Sequence, residues 1–575
     1  MQLLTNMPQL LARNVKEHGD AVAFIDGERE ITYREFDAMV NKTAAWLTGQ
    51  GIVGGDRVAV WLVNRMEWMA LYFGLGQIGA ALMAINTRYR SHELEYILER
   101  SEARLLVLQL HFRQIDFPAV LRDVRHTAAT SLLRVAVVDP NEGSLPAEIL
   151  GKATVSFDLK ALPDSKAPTA RADADPEAIS ILFTTSGTTS GPKLVMHTQR
   201  TVTLHSQRIS TAYGLDQAGV RLLAALPFCG VYGFNAALGA FASVKRVVMM
   251  ETFDADAAIQ LINAHQITHL FGSDEMYQRM LERAEGNRPF PSLRVAGFSS
   301  FHPGAGEIAK AGWARQVPMF GLYGSSEVQA LFSLQRPSFT LDERVEAGGL
   351  PASPNTVIRI RDVVSGTLLP PGASGEIEIW AETNFAGYMN DPQADQAAVD
   401  KDGYFHTGDI GYLREDGSFV YQTRQGDAMR LAGYLVSPVE IEDVLKAQPG
   451  VADVQVIAID IDKRTRVIAF VIALPGCQLD EAQVLAGAAQ TLAAFKVPAH
   501  VWVVDSFPVA QAANGTKIQR SKLRNMALEK QAALAARDSI HIKQPAKVGG
   551  FVLRTESSKP NISRPCKIHT PWSSP

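Results

Sequence analysis

The sequence predicts an α/β protein: a large N-terminal domain of parallel α/β sheets plus a β-rich subdomain, with a small mobile α+β C-terminal domain. First, short apolar runs such as residues 56–63 and 244–250 alternate with helical patterns, which favours parallel sheets covered by helices. Second, after about residue 355 apolar and polar residues alternate between Gly/Asp turns, as in antiparallel sheet. Third, helical and strand patterns from residue 438 to 504 suffice for a small separate domain.

The elements follow this plan along the chain. A strand at 56–63 precedes a helical pattern at 67–80 and a second strand at 81–85, and a further helix is predicted at 254–265. The C-terminal segment predicts, in order, helix 439–447, strands 454–460 and 466–474, helix 481–495 and strand 499–504. We expect a disordered basic tail over 531–575, because its last part lacks periodicity and carries six Lys/Arg against one Asp/Glu between 541 and 575.

Composition excludes several classes of protein. The chain has 575 residues, 46% of them hydrophobic, and 56 basic against 60 acidic residues give a formal net charge of −4. A nucleic-acid-coating protein would show a basic excess. The three cysteines, Cys229, Cys477 and Cys566, are far apart, so they predict neither a disulfide framework nor a metal pair and fit a reducing compartment. No run of 18 apolar residues occurs, and we expect a cytoplasmic protein without an integral membrane segment.

The most informative segment is TTSGTTSGPK, residues 184–193, which follows a predicted apolar strand. Small hydroxyl residues and glycines after a strand allow backbone N–H groups and hydroxyls to converge on phosphate oxygens, and a lysine adds positive charge. The segment is not a GxxxxGK[ST] loop, because Pro192 stands at the second required glycine and Leu194 at the Ser/Thr position. The candidate phosphate-binding residues are Thr185, Ser186, Gly187, Thr188, Thr189 and Lys193.

Four more segments follow in order: YGSSE (323–327), GYFHTGD (403–409), FKVP (495–498) and NGTKIQR (514–520). With the loop, they resemble the adenylate-forming superfamily, which comprises acyl- and aryl-CoA synthetases, adenylation domains and beetle luciferases. The resemblance runs from about residue 31 to 524 and is closest to the synthetase branch. Ser190, Leu194 and Thr516 replace glycines that the family usually has.

The resemblance implies roles for single residues. Tyr323 would stack on adenine, Gly324 and Ser326 would contribute to the same cofactor site, and Glu327 would help hold Mg²⁺ on the phosphates. These roles are chemically sensible, because a hard cation prefers carboxylate oxygen and a flat purine needs a flat partner. By the same resemblance, Asp409 would accept hydrogen bonds from the ribose hydroxyls, and Arg424 would bind the ribose or a phosphate. Lys517 would catalyse adenylation, and the thiol arm of CoA would enter beside Gly433. Gly426 and Asp427 would form the hinge. The implied division is 1–423, hinge 424–427, small domain 428–530 and tail 531–575.

The acid pocket is implied by LPFCGVYGF, residues 226–234, which resembles a family segment with histidine where this chain has Gly230. The candidate pocket residues are Phe228, Cys229, Gly230, Tyr232 and Phe298. Loss of the histidine would widen the acid pocket at one wall. Phe298 stands where the family usually has Gly or Ala and would narrow the pocket at another wall. Asp274 and Glu275 either recognise a polar or amino-bearing acid or solvate the end of a strand. No aspartate occurs over 228–235, so the resemblance disfavours an α-amino acid.

The resulting expectation is an AMP-forming acid–CoA ligase that uses ATP, Mg²⁺ and CoA. It would convert a fatty, alicyclic or aromatic carboxylic acid to an acyl-adenylate and then to a thioester. Two alternatives stay open: an enzyme that loads a carrier-protein phosphopantetheine, and a non-catalytic relative that binds nucleotide. Association into a homodimer is also left open by the sequence.

Overall fold

The computed structural model describes residues 3–113, 115–138, 145–164, 174–185, 192–299, 305–363, 365–424, 429–432, 434–436, 438–461, 464–512, 515–518 and 520–542. Contacts divide the chain into two compact units, residues 1–426 and 427–575. The division falls within the residues predicted as the hinge, of which Gly426 and Asp427 lie outside the described ranges.

The first unit contains a nine-stranded sheet whose six inner strands are parallel. Apolar side chains line both faces of this sheet, and helices cover both faces. Strands that are apolar along almost their whole length predict this arrangement. In spatial order the strands are Gly387–Tyr388, Lys193–Thr198, Ile179–Thr185, Ala81–Ala84, Arg57–Trp61, Leu105–Leu108, Arg134–Val138, Lys152–Phe157 and Glu148–Ile149.

A second sheet of fourteen strands has an antiparallel edge strand, Arg29–Thr32, continues as parallel sheet, and becomes antiparallel after the strand Met319–Ser325. The predicted β-rich subdomain is therefore continuous with a parallel sheet. In spatial order the strands are Arg29–Thr32, Val22–Asp26, Arg246–Met249, Arg221–Ala224, His269–Ser273, Val295–Ser299, Met319–Ser325, Gln329–Leu334, Gly348–Pro351, Phe419–Arg424, Phe405–Leu413, Gly375–Trp380, Val357–Arg361 and Leu368–Leu369.

Helices of this unit begin and end where local chemistry requires. Tyr33–Gly49 begins at a capping box in which Thr32 and Glu35 satisfy each other's backbone N–H groups. Met66–Ile78 is apolar on all sides and almost wholly buried, and Gly79 ends it in the left-handed region. The other α-helices are Met7–His18, Ser91–Ser101, Phe117–Arg122, Gln199–Ala212, Val231–Ala242, Ala255–Ala264, Asp274–Arg283, Ala305–Ala314, Leu341–Arg344 and Pro392–Ala398.

The second unit is a small α+β domain. A three-stranded sheet, Val451–Ile461, Arg464–Ala473 and His500–Val503, packs one face on Pro438–Lys446 and Glu481–Thr491 and the other on Arg520–Ile542. Two hairpins complete it: Met429–Leu431 with Tyr434–Val436, and Val509–Ala512 with Gly515–Ile518. The last helix reaches Ile542, so the prediction of disorder from residue 531 is wrong up to that residue. Residues 543–575 lie outside the described ranges.

The predicted α/β class, with its β-rich part and separate small domain, is confirmed. Within the described ranges, no helix is both long enough and apolar enough to cross a bilayer.

Candidate active site

The phosphate-loop candidates lie between two strands of one antiparallel hairpin. Ile179–Thr185 pairs with Lys193–Thr198, and Thr185 lies opposite Lys193 at the end next to the connecting residues 186–192. The hairpin therefore places these two predicted residues at the base of the loop. Ser186, Gly187, Thr188 and Thr189 lie outside the described residues, so their predicted phosphate contacts stay predictions.

Tyr323 and Asp409, predicted from separate motifs, are in direct contact. The Tyr323 hydroxyl donates to Asp409 Oδ2 at 2.6 Å, and both residues are almost fully buried. Asp409 is fixed further by its own N–H, which donates to Thr407 Oγ1 at 3.0 Å. The antiparallel register places Arg424 opposite Asp409, although the Arg424 side chain is outside the described set. The adenine and ribose candidates thus meet on two inner strands of the fourteen-stranded sheet, Met319–Ser325 and Phe405–Leu413.

Glu327 lies beside a residue that the sequence did not predict. The Tyr388 hydroxyl donates to Glu327 Oε1 at 3.0 Å, and the Lys193 ammonium lies 4.4 Å from the centroid of the same ring. The Glu327 carbonyl accepts from Phe385 N at 2.7 Å. Tyr388 therefore connects the proposed metal carboxylate to the lysine of the phosphate loop.

The backbone around Glu327 is both tightly packed and strained. A Cβ on Gly324 would lie 2.6 Å from Ala330 Cα, so only glycine fits there. Gln329 and Leu331 both have positive φ, at 65° and 64°, a conformation that is uncommon outside glycine. The Gln329 amide donates to Thr201 O at 2.9 Å and holds this turn against the helix Gln199–Ala212.

Two buried histidines support the same segment from behind. His197 Nε2 lies 2.7 Å from Ser326 O, and His205 Nε2 lies 2.7 Å from Ala330 O. A carbonyl can only accept, so both Nε2 atoms carry hydrogen. Burial lowers the pKa of each histidine to about 4, and both rings are therefore neutral donors at neutral pH. Sequence reasoning missed both, because a lone histidine on an apolar strand or helix gives no functional signal.

The acid-pocket candidates fall into two groups. Phe228 is buried against Trp68, and Cys229 is buried beside it in the same core cluster, where burial raises the pKa of its thiol to about 11. Tyr232 packs on that cluster, and its hydroxyl lies within hydrogen-bond distance of two backbone carbonyls, Gly272 O at 3.3 Å and Gly297 O at 3.2 Å. Phe298 belongs to a different core cluster, with the helices Ala255–Ala264 and Asp274–Arg283. The prediction that Phe298 narrows the acid pocket therefore stays a prediction.

Gly230 and the acidic pair complete this region. A Cβ on Gly230 would meet only Pro227 O, at 3.5 Å, so the space of the missing histidine lies open in the described structure. Asp274 is fully buried at the start of Asp274–Arg283, whereas Glu275 is half-buried. Solvation of a strand end is thus the wrong explanation for Asp274, which lies at the positive end of a helix dipole.

A charged cluster lies behind the Asp409 strand. Carboxylate and imidazole atoms of Glu376, Glu378 and His406 lie within 4.8 Å of one another. Glu378, however, is buried and paired with both Arg359 and Arg361. Burial would raise the pKa of Glu378, but these two arginines outweigh it and lower that pKa. The charge of Glu378 is therefore compensated, and the carboxylate joins neighbouring strands through these ion pairs.

In the small domain, the strand Gly515–Ile518 carries Lys517 opposite Ala510. The Lys517 side chain and Gly433 are outside the described set. The model of the AMP-binding enzyme family matches residues 11–389, and that of the AMP-binding enzyme C-terminal domain matches residues 440–514. The chain belongs to the AMP-binding enzyme family.

Similar proteins support this membership. A (7a-methyl-1,5-dioxo-octahydro-1H-inden-4-yl)propanoyl:CoA ligase from Rhodococcus jostii is 31% identical over 88% of this chain and 96% of the relative. A 2-succinylbenzoate–CoA ligase from Bacillus licheniformis is 27% identical over 91% of this chain and 100% of the relative. Among solved structures, o-succinylbenzoate CoA synthetase from Bacillus subtilis, bound to a product analogue, superposes with TM-score 0.75 at 22% identity, covering 90% and 99% of the two chains. That structure supports the AMP-binding enzyme fold.

Proposed function

We propose that the protein is an AMP-forming acid–CoA ligase. The observation that carries this is the contact between Tyr323 and Asp409, two residues 86 positions apart whose motifs separately imply the adenine and ribose of ATP. Similarity to CoA ligases over about nine-tenths of the chain supports the same reaction.

The chemistry sets what the side chains must do. Adenylation brings a carboxylate to the α-phosphate of ATP, two anions, and the carboxylate oxygen displaces pyrophosphate. Cationic groups at that point stabilise the charge that develops, and no side-chain nucleophile is required. Lys193 at the loop supports pyrophosphate, and Lys517 supports the attacking carboxylate. In the second step the CoA thiol attacks the acyl carbon and releases AMP.

Glu327 fits the Mg²⁺ that this reaction needs. Its carboxylate supplies hard oxygen ligands, the residue is partly exposed, and its hydrogen bond to Tyr388 leaves further lone pairs available. When bound there, Mg²⁺ would neutralise charge on the ATP phosphates.

For the acid, we propose a ring-bearing carboxylic acid as the first candidate among the fatty, alicyclic and aromatic classes. The two relatives described above act on ring-bearing acids, and Tyr232 offers an aromatic wall next to the open space at Gly230. CoA is the proposed acceptor, and the carrier-protein alternative is separated by experiment.

The first experiment measures pyrophosphate release over a panel of fatty, cyclohexane, benzoic, hydroxybenzoic and aminobenzoic acids, each with and without CoA. We expect one ring-bearing group to give CoA-dependent turnover and a soluble thioester. Adenylate without any CoA product would favour the carrier-loading enzyme. No turnover with tight ATP binding would favour the non-catalytic relative.

Lys517→Ala should separate the two half-reactions. We expect ATP–pyrophosphate exchange to fall on the order of 100-fold, the size of losing one transition-state charge contact. Thioester formation from synthetic acyl-adenylate should change by less than about threefold, because Lys517 acts only on adenylation. Lys522→Ala, an exposed lysine in the next helix, is the matched control. Equal loss of both half-reactions would contradict the assignment.

A further inference from the structure

We propose that Tyr388 is a positioning residue that holds Glu327 in place and keeps Lys193 from pairing with it. The inference rests on the proposed roles of Glu327 and Lys193. It extends them to a residue outside both motifs, at the edge of the nine-stranded sheet.

The strand that leaves the phosphate loop faces the Glu327 segment. Alternate residues of Lys193–Thr198 point to opposite faces: Leu194 lies in one core cluster, and Val195 lies in another, together with Tyr388 and Tyr323. Lys193 shares the Val195 face. The strand therefore presents the loop lysine to the layer that carries Glu327.

Tyr388 is held firmly between these two groups. Its backbone pairs with Val195 in the sheet register, and its N–H donates to Asp395 Oδ1 at 2.6 Å. Gly387 precedes it at φ 129°, and a Cβ there would lie 3.0 Å from Asp395. The side chain is only 4% exposed. The side chain of Tyr388 thus has a fixed position, from which its hydroxyl and its ring face contact different partners.

The hydroxyl and the ring face of Tyr388 have different electrostatic roles. The hydroxyl donates to Glu327 Oε1 at 3.0 Å, while the ring face receives the Lys193 ammonium at 4.4 Å. Within the described residues no ion pair joins Lys193 to Glu327. A direct pair would occupy the lysine needed for phosphate and the carboxylate oxygen needed for the metal. The ring keeps both charges close to each other and both available.

Two substitutions separate the roles. Tyr388→Phe keeps the ring and removes the hydroxyl, so we expect metal-free ATP affinity to change by less than twofold. The Mg²⁺ concentration for half-maximal exchange should rise about tenfold, the effect of one hydrogen bond to a charged group. Tyr388→Leu also removes the ring, so Lys193 can pair with Glu327, and metal-free ATP binding should weaken about tenfold.

Calorimetric titration of ATP in EDTA and in Mg²⁺ measures both effects independently of turnover, and circular dichroism checks folding. Adding Glu327→Gln to Tyr388→Leu should restore metal-free ATP binding, because the competing carboxylate charge is gone. Tyr404→Phe is the matched control: Tyr404 also lies under a cation, Arg359, at 3.7 Å, and its hydroxyl has no partner in the described residues.

The outcomes are distinct. Wild-type Mg²⁺ dependence in Tyr388→Phe, or no restoration in the double variant, would overturn the positioning role. If Glu327→Gln alone left the Mg²⁺ dependence unchanged, the proposed metal role of Glu327 would fail, and with it the Tyr388–Glu327 part of the inference.

Discussion

His197 is a buried side chain that holds the backbone next to Glu327, the proposed metal ligand. Its Nε2 donates to Ser326 O, the carbonyl directly before Glu327. His205 donates to Ala330 O, which also accepts from Asn235 Nδ2 at 3.3 Å. The two histidines are therefore similar in burial and differ in whether a second side-chain donor is present.

We expect His197→Phe to destabilise the protein by about 1–3 kcal/mol, because Ser326 O loses its side-chain donor. His205→Phe should cost less, since Asn235 remains. His197→Phe should also raise the Mg²⁺ requirement of pyrophosphate exchange, whereas His205→Phe should not. Urea unfolding and exchange kinetics test both; a larger effect for His205→Phe on either measure would contradict this account.

Single residues also mark the limit of sequence reasoning. Tyr323, Glu327 and Asp409 could be named from their motifs, because those motifs resemble segments of the adenylate-forming superfamily. Tyr388 and His197 could not, because their importance depends on register: the pairing of Val195 with Tyr388 brings distant segments together. The pocket role of Phe298 stays a prediction for a related reason, since the sequence does not specify which face of the sheet it occupies.

Among the elements, the hairpin that carries Lys517 is anchored just after it ends. Arg520 begins the last helix and donates to Glu442 Oε1 at 2.7 Å, and that oxygen also accepts from Val456 N at 2.9 Å. Glu442 is buried, which raises its pKa, although Arg520 opposes this. The pair joins the helices Pro438–Lys446 and Arg520–Ile542 inside the small domain.

Arg520→Met should destabilise the small domain by about 3 kcal/mol or more, because it leaves a buried carboxylate uncompensated. Arg520→Met with Glu442→Gln should recover part of that loss, since the stranded charge is removed. Arg524→Met, whose side chain contacts only Ala458 O among the described residues, is the control and should cost little. Urea unfolding of the full chain gives the double-mutant cycle; additive losses would refute the coupling.

At the scale of elements, hydrophobic periodicity predicts whether a segment is a helix or a strand better than it predicts the residues at which the segment begins and ends. The helix predicted at 439–447 lies at Pro438–Lys446, and the strand predicted at 466–474 lies at Arg464–Ala473. The last helix was missed because Arg520–Ile542 mixes charged residues around its circumference. It is stabilised through Leu523 and Ala527, which pack on the small sheet, and a weak apolar stripe of that kind gives little sequence signal.

For the molecule as a whole, three buried histidines make stability depend on pH. Burial lowers the pKa of His197, His205 and His269 to about 4, against about 6.5 in the unfolded chain. The unfolded state therefore binds more protons between these values, so stability is fully present above pH 6.5 and is lost as pH falls toward 4. Each histidine accounts for roughly 3 kcal/mol over that window.

We expect urea unfolding of the first unit to show a free energy that falls steadily from pH 7 to pH 5, before most carboxylates titrate. His269→Gln should flatten this slope by up to about 1.4 kcal/mol per pH unit, because glutamine can still donate to Tyr213 O, the partner of His269 Nε2, and cannot take up a proton. His18→Gln, a histidine on the exposed end of the first helix, should leave the slope unchanged. A slope that is flat in the parent protein, or equal in His269→Gln, would mean that these rings are not held neutral by burial.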